Sequence, residues 1–163
     1  MNRILIIGLN GSGKSTFANK LGKKLNREII YLDKIYHRPG WQPTPRDEWR
    51  KIVRNLVSGE RWIIDGHYDN TLDIRMPPAD TIIFFNFNKF LCLYGVCKRA
   101  LGYNQPFDQI EGNRRHLSWN LIKKIIIFPK KKMLGRLEQY RNAKKIFVVK
   151  NRKEVQELLL SIL

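Results

Sequence analysis

Acidic side chains are scarce in this chain: 14 Asp and Glu stand against 31 Lys and Arg, leaving a formal net charge of +17. That imbalance attracts polyanions, whether nucleotides, nucleic acid or acidic membrane surfaces. Cysteine is almost absent. Cys92 and Cys97 lie five apart in an apolar helical stretch, match neither a metal-ligand pattern nor a redox pair, and are expected to be buried, reduced thiols. Long apolar runs are missing too. Ile125-Ile126-Ile127-Phe128 is among the longest, far short of the roughly 20 residues of a membrane span. No secretory leader is read at the start, where a glycine-rich loop stands instead, so a cytoplasmic location is expected. Internal repeats, low-complexity tracts and linkers are also lacking. The 163 residues are therefore expected to form one domain, 1–163, with a core of its own and a lid region at about 102–128.

What the chain does have is Gly8-Leu9-Asn10-Gly11-Ser12-Gly13-Lys14-Ser15, a complete G-x-x-x-x-G-K-[ST] loop. It follows the apolar run Ile4-Leu5-Ile6-Ile7 and precedes a helical pattern, the context that turns a motif match into a phosphate site. Glycines permit the backbone torsions that let successive N–H groups face a phosphate. Lys14 supplies a mobile charge, Ser15 a hydroxyl for Mg²⁺, and the helix from about 14 to 25 points its positive end at the same anions. The expected nucleotide contacts are Gly8, Asn10, Gly11, Ser12, Gly13, Lys14, Ser15 and Thr16, with ATP and Mg²⁺ as ligands.

Strand and helix patterns alternate beyond this loop. Strands are expected at 28–32, 61–64, 81–87 and 145–149, and helices at 47–58, 89–101, 114–128, 129–140 and 154–162. This alternation predicts a three-layer α/β domain with a parallel sheet and right-handed crossovers. Ligands of such sheets bind beyond the carboxyl ends of the strands. The phosphate loop, Asp33, Asp65 and Asn86 all fall at such ends and should converge on one cleft.

Phosphoryl transfer is mostly placement and electrostatics, so a bound MgATP needs acids to arrange metal and acceptor and cations to absorb charge. Asp65 is placed to hold a water of the Mg²⁺ shell, which with Ser15 makes the expected metal site, and Asp33 to orient or deprotonate an acceptor hydroxyl. Asn86 stands where many such enzymes carry a metal-orienting aspartate. Arg99, Arg114 and Arg115 are the candidate charge-stabilising cations, the last two just past a break that would form the lid. Arg75 is a candidate for an acceptor anion, Trp41 and Tyr68 for pocket walls, and His67 for a polar acceptor contact beside Gly66. Base contacts are expected from the Asn151-Arg152 region and the helix bearing Arg99. Between Arg114 and Lys153 there are fourteen basic residues and one acid, Glu138, a block suited to non-specific nucleic-acid binding.

Several segments together carry a wider resemblance: Tyr31-Leu32-Asp33-Lys34-Ile35-Tyr36, Pro39-Gly40-Trp41, Asp47-Glu48-Trp49, Trp62-Ile63-Ile64-Asp65-Gly66-His67-Tyr68 and Asn151-Arg152-Lys153-Glu154, with the phosphate loop. Over nearly its whole length the chain resembles the bacterial DNA topology modulation proteins, which are adenylate-kinase-like P-loop proteins. The resemblance implies a P-loop NTPase fold of the adenylate/shikimate-kinase type, with strand order 2-3-1-4-5 and Asp65-Gly66 organising Mg²⁺ and substrate. Nucleoside monophosphate kinases follow that pair with a phosphate-gripping arginine, whereas His67-Tyr68 stand here. Shikimate-kinase-like relatives address a hydroxyl with an aspartate after the second strand, the place of Asp33. The expected activity is transfer of the γ-phosphate of MgATP to a nucleotide, nucleoside or hydroxyl metabolite. The alternative is a DNA topology modulation or nucleic-acid-binding protein with a regulatory or slow ATPase site.

Overall fold

The computed structural model describes residues 1–102 and 118–162. In chain order the elements are β1 (Arg3–Gly8), α1 (Lys14–Leu25), β2 (Ile30–Tyr31), α2 (Leu32–Tyr36), β3 (His37–Arg38), β4 (Gln42–Pro43), α3 (Arg46–Val57), β5 (Trp62–Asp65), α4 (Leu72–Arg75), β6 (Thr81–Phe85), α5 (Lys89–Ala100), α6 (Trp119–Ile126), α7 (Lys130–Glu138), β7 (Lys145–Val149) and α8 (Arg152–Ser161).

Five strands make one parallel sheet in the order β2-β5-β1-β6-β7, while β3 and β4 pair antiparallel as a separate hairpin. Counting the sheet strands alone, this is the expected 2-3-1-4-5 order. Its middle is buried on both faces, which is why β6 and most of β1 read as unbroken apolar runs rather than alternating ones. The sheet lies between helices as the middle layer of an α/β/α sandwich. Phe17, Ala18 and Leu21 press one face of α1 onto the core, and Trp49 and Val53 do the same for α3. Ile52 and Leu56, on the expected apolar face of α3, pack partly buried against that core.

Three local departures from the sequence reading matter for the site. The second strand is only two residues long, and the chain turns helical at Leu32, so Asp33 sits in the first turn of α2 rather than in a loop. The third sheet strand runs through Asp65, placing that carboxylate at its last position. A short helical stretch at 69–75 follows, where none was expected. Among the described residues, the helix expected over 114–128 begins at Trp119, with Ser118 capping it through its side chain. Arg114, Arg115 and His116 lie outside the described residues, as does the part of the expected lid from 103 to 117. No helix among the described residues is long and apolar enough to cross a membrane.

Candidate functional site

The loop after β1 wraps around one carbonyl. Leu9 O accepts from Ser12 Oγ at 2.7 Å and from Lys14 Nζ at 2.8 Å, so the lysine lies folded over its own loop. Gly13 sits at φ 91° as the residue before α1, and no side chain caps that helix. The helix therefore presents its first turn uncapped, an arrangement suited to an anion. Gly11, at φ 80°, lies so close to α5 that a Cβ would come within 2.0 Å of Cys92 O; a Cβ on Gly95 would in turn meet Gly11 O at 2.3 Å. Two glycines thus let the loop and α5 touch backbone to backbone. Gly8 and Ser12 are buried, Ser15 half-buried, and Asn10, Gly13 and Thr16 exposed.

Lys14 is the electrostatic centre of the cleft. Burial lowers its pKa, Asp65 and Asp33 oppose that shift, and Arg99 adds to it. Charge interactions fall off with distance, and the strand register places the two carboxylates independently. β1 runs beside β5, with Ile6 opposite Asp65, and β5 beside β2, with Tyr31 opposite Asp65, which brings Asp33 and Asp65 to the same end of the sheet.

Asp33 is pegged by the Tyr68 hydroxyl, which donates to its Oδ1 at 2.7 Å. Burial, then the Asp33 charge, push the Tyr68 hydroxyl well above its ordinary pKa, so it stays a donor. The Tyr68 ring packs on Tyr36 at 4.7 Å and Trp49 at 5.3 Å; Tyr36 meets His37, and His37 meets Trp41 at the hairpin tip. Trp41 and Tyr68 therefore belong to one chain of rings, with Trp49 as its buried end.

Arg75 was expected at an acceptor anion and stands elsewhere. It is fully buried, and donates to Gly66 O at 2.7 Å, to His67 O, to Tyr68 O at 2.8 Å and to Thr71 Oγ1 at 3.2 Å. Tyr68 adopts φ 31°, ψ 77°, a left-handed conformation uncommon for such a residue, and Arg75 holds its carbonyl there. The guanidinium is a clamp on the loop after β5, occupied with backbone oxygens. His67, in that loop, is held neutral: burial lowers its pKa to about 3, with Lys14 and Arg75 as further causes. Its ring packs on Phe128 at 4.8 Å, and its Nδ1 is buried without a hydrogen-bond partner. Asp69 closes the loop through Arg136 of α7 at 2.5 Å.

Arg152, the first residue of α8, is exposed at the carboxyl end of β7. Asn86 follows β6, and its side-chain oxygen is buried without a partner. Cys92 is buried as expected, but Cys97 is exposed, because the face of α5 that turns to the phosphate loop carries Cys92, Gly95 and Val96. Tyr68 as the partner of Asp33 and Arg136 as the partner of Asp69 escape sequence reading, since both contacts join residues more than 30 apart. Gly95 left a signal, a glycine inside an apolar helix where a close approach is the usual reason.

The residues fit a nucleotide triphosphate: an uncapped helix start, a lysine that need only leave Leu9 O, and two carboxylates beside it. No group of three or more His, Cys, Asp or Glu among the described residues could hold a metal ion unaided. This suits Mg²⁺, which uses one or two protein groups together with phosphate oxygens and water.

The geometry is that of a P-loop kinase fold, and the comparisons agree. A gluconokinase from Sinorhizobium meliloti 1021 matches with a TM-score of 0.57 at 17% identity, covering 98% of this chain and 87% of that one. A shikimate kinase from Acinetobacter baumannii in complex with shikimate matches with a TM-score of 0.62, also at 17% identity, covering 99% of this chain and 90% of that one. No family model matches the chain, and no curated protein does. Both structures share its fold, and neither is described as acting on DNA topology.

Proposed function

We propose that the protein is an ATP-dependent phosphotransferase acting on the hydroxyl of a small acceptor. The observation that carries this reading is the grouping of Lys14, Asp33 and Asp65 at one end of the sheet, with Asp33 fixed by Tyr68. The loop from Gly8 to Thr16 would hold the phosphates, with Lys14 moving from Leu9 O to the terminal ones. Ser15 would contact Mg²⁺, and Asp65 a water of its shell. MgATP supplies the phosphoryl group and neutralises part of its charge. Asp33, with Oδ1 engaged by Tyr68, offers Oδ2 to an acceptor hydroxyl, orienting its oxygen for attack and taking its proton. Arg99, with Arg114 and Arg115, would stabilise charge on the transferring group, the last two from a lid over about 102–128. Arg152 would lie against the base. Trp41, Tyr68, Gly66 and His67 would line the acceptor pocket.

A hydroxyl acceptor is favoured over a phosphate-bearing one because, among the described residues, the arginine and the histidine that follow Asp65 are not available as cations for a phosphate. Arg75 makes four hydrogen bonds inside the protein, and His67 is neutral. Both structural neighbours are by name kinases of small molecules, gluconate and shikimate. The nucleic-acid alternative draws on the basic block and on the resemblance to DNA topology modulation proteins, and neither structural match described above carries it.

The test is ATP-to-ADP turnover against a panel of hydroxyl acids, sugars, nucleosides and nucleotides, with Lys14→Ala as blank and Asp33→Asn beside it. Acceptor-dependent turnover lost in both variants is the expected result. Nucleotide binding without turnover on any acceptor overturns the phosphotransferase reading.

A further inference from the structure

The face of α5 turned away from the phosphate loop is not polar. Phe90 is 80% exposed, and Leu91 and Tyr94 are exposed with it. On α6 Trp119 is 78% exposed and Ile126 is exposed, and Ile127, just past the helix, is 73% exposed. Lys89 Nζ donates to Ile126 O, which ties the start of α5 to the end of α6. Ile125 anchors α6 on the core, so the outward side chains are those left over after packing. Monomeric proteins seldom leave such a set of large apolar residues in water without a use for it.

The charge around this face is one-sided. Neither α5 nor α6 carries an acid. Lys98, Lys123 and Lys124 are exposed on the two helices, and α7 opens with Lys130-Lys131-Lys132. Together these features are the two components of interfacial binding: side chains that enter the acyl boundary and cations that meet anionic headgroups. Tyr94 and Trp119 have the amphipathic rings that settle at headgroup level, and the lysine stems can lie along apolar surface while their ammonium groups reach outward. A nucleic acid would satisfy the lysines, but its phosphates offer nothing to two isoleucines and a leucine.

We propose that the α5–α6 face docks on anionic lipid membranes, Phe90, Leu91, Trp119, Ile126 and Ile127 entering the surface and Lys123, Lys124, Lys131 and Lys132 holding the headgroups. On α5 the docked face lies on the far side of the helix from Cys92 and Val96, which meet Gly11. The proposal is independent of the phosphotransferase reading.

The experiment is co-sedimentation of the full chain with vesicles of phosphatidylcholine alone and of phosphatidylcholine mixed with phosphatidylglycerol. Binding to the anionic vesicles only, weakened by salt, is expected. The pair Phe90→Ser with Trp119→Ser, and separately Lys123→Glu with Lys124→Glu, should each lower partitioning about tenfold or more. Quenching by brominated lipid should vanish in Trp119→Phe, a mild change that guards against misfolding of the double variants. No binding to anionic vesicles overturns the proposal. So does unchanged binding of the Phe90/Trp119 variant, which would leave charge alone as the cause, or unquenched Trp119. Concentration-dependent self-association abolished by that variant would make a second copy the occupant, and preferred binding of a short oligonucleotide unaffected by it would make nucleic acid the partner; either overturns the lipid assignment.

Discussion

Replacing Arg75 separates a structural clamp from a ligand contact. The guanidinium gives four hydrogen bonds, three of them to consecutive backbone carbonyls of residues 66 to 68. A charge-assisted hydrogen bond contributes about 1.5–3 kcal/mol, so Arg75→Met removes several such contributions and leaves carbonyls without donors. Against this stands relief from burying a cation that has no carboxylate among its hydrogen-bond partners, itself worth several kcal/mol. The net expectation is a loss of about 2–4 kcal/mol, a large share of the roughly 5–15 kcal/mol of an ordinary domain. Urea titration gives that number, and hydrogen exchange should show added opening concentrated in residues 66 to 71. Arg75→Lys, with three donors and no planar fork, should recover only part of the loss. Stability equal to wild type in Arg75→Met, with acceptor KM raised instead, would refute the clamp and return Arg75 to the acceptor.

Tyr68→Phe keeps the ring and removes the bond to Asp33; acceptor kcat/KM should fall about tenfold to a hundredfold, with the ATP KM unchanged, in steady-state kinetics. Gly95→Ala should weaken binding of a fluorescent ATP analogue although the residue faces only loop backbone, because the new Cβ must displace Gly11; equal affinity would mean that α5 can yield. His67 titrates near 3 when folded and near 6.5 when unfolded, so between these values the unfolded chain binds the extra proton and stability drops as pH falls. Its share is at most about 1.4 kcal/mol per pH unit, and His67→Gln should flatten the acid side of a urea-midpoint profile between pH 7 and pH 5. An unchanged profile would show that the imidazole binds its proton equally well in the folded and unfolded chain.

Much of this was legible because the informative patterns are local. The phosphate loop is contiguous, the apolar runs of β1 and β6 declare strands buried on both faces, and the 3.6-residue spacing of Trp49, Ile52, Val53 and Leu56 gives the inward side of α3. The strand order came from the resemblance and not from periodicity. What escaped depends on tertiary contact. Arg75 reads as an acceptor-anion contact in Leu72-Asp73-Ile74-Arg75, since nothing in that tetrad says that three carbonyls of the preceding loop point inward at it. Asp33 entered a helix because the short β2 ends at Tyr31, before the apolar pattern does. Cys97 reads as buried from the apolar composition of its helix, and a helix with an exposed apolar face defeats the inference from composition to burial.

The hairpin of β3 and β4 is tied at its base, where Thr44 bonds to Tyr36 O through both its N–H and its hydroxyl. Beyond that base Arg38 of β3 donates to Glu48 of α3 at 2.7 Å, while the ring of Trp41 at the tip meets His37, and His37 meets Tyr36. Edge-on aromatic contacts tolerate sliding and tilting in a way that a hydrogen bond does not. Asp33, by contrast, is fixed through the hydroxyl of Tyr68. In the proposed acceptor pocket the ring of Trp41 would be the adjustable contact and Asp33 the fixed one, so acceptors of different outline would meet the first while their reactive oxygen is brought to the second.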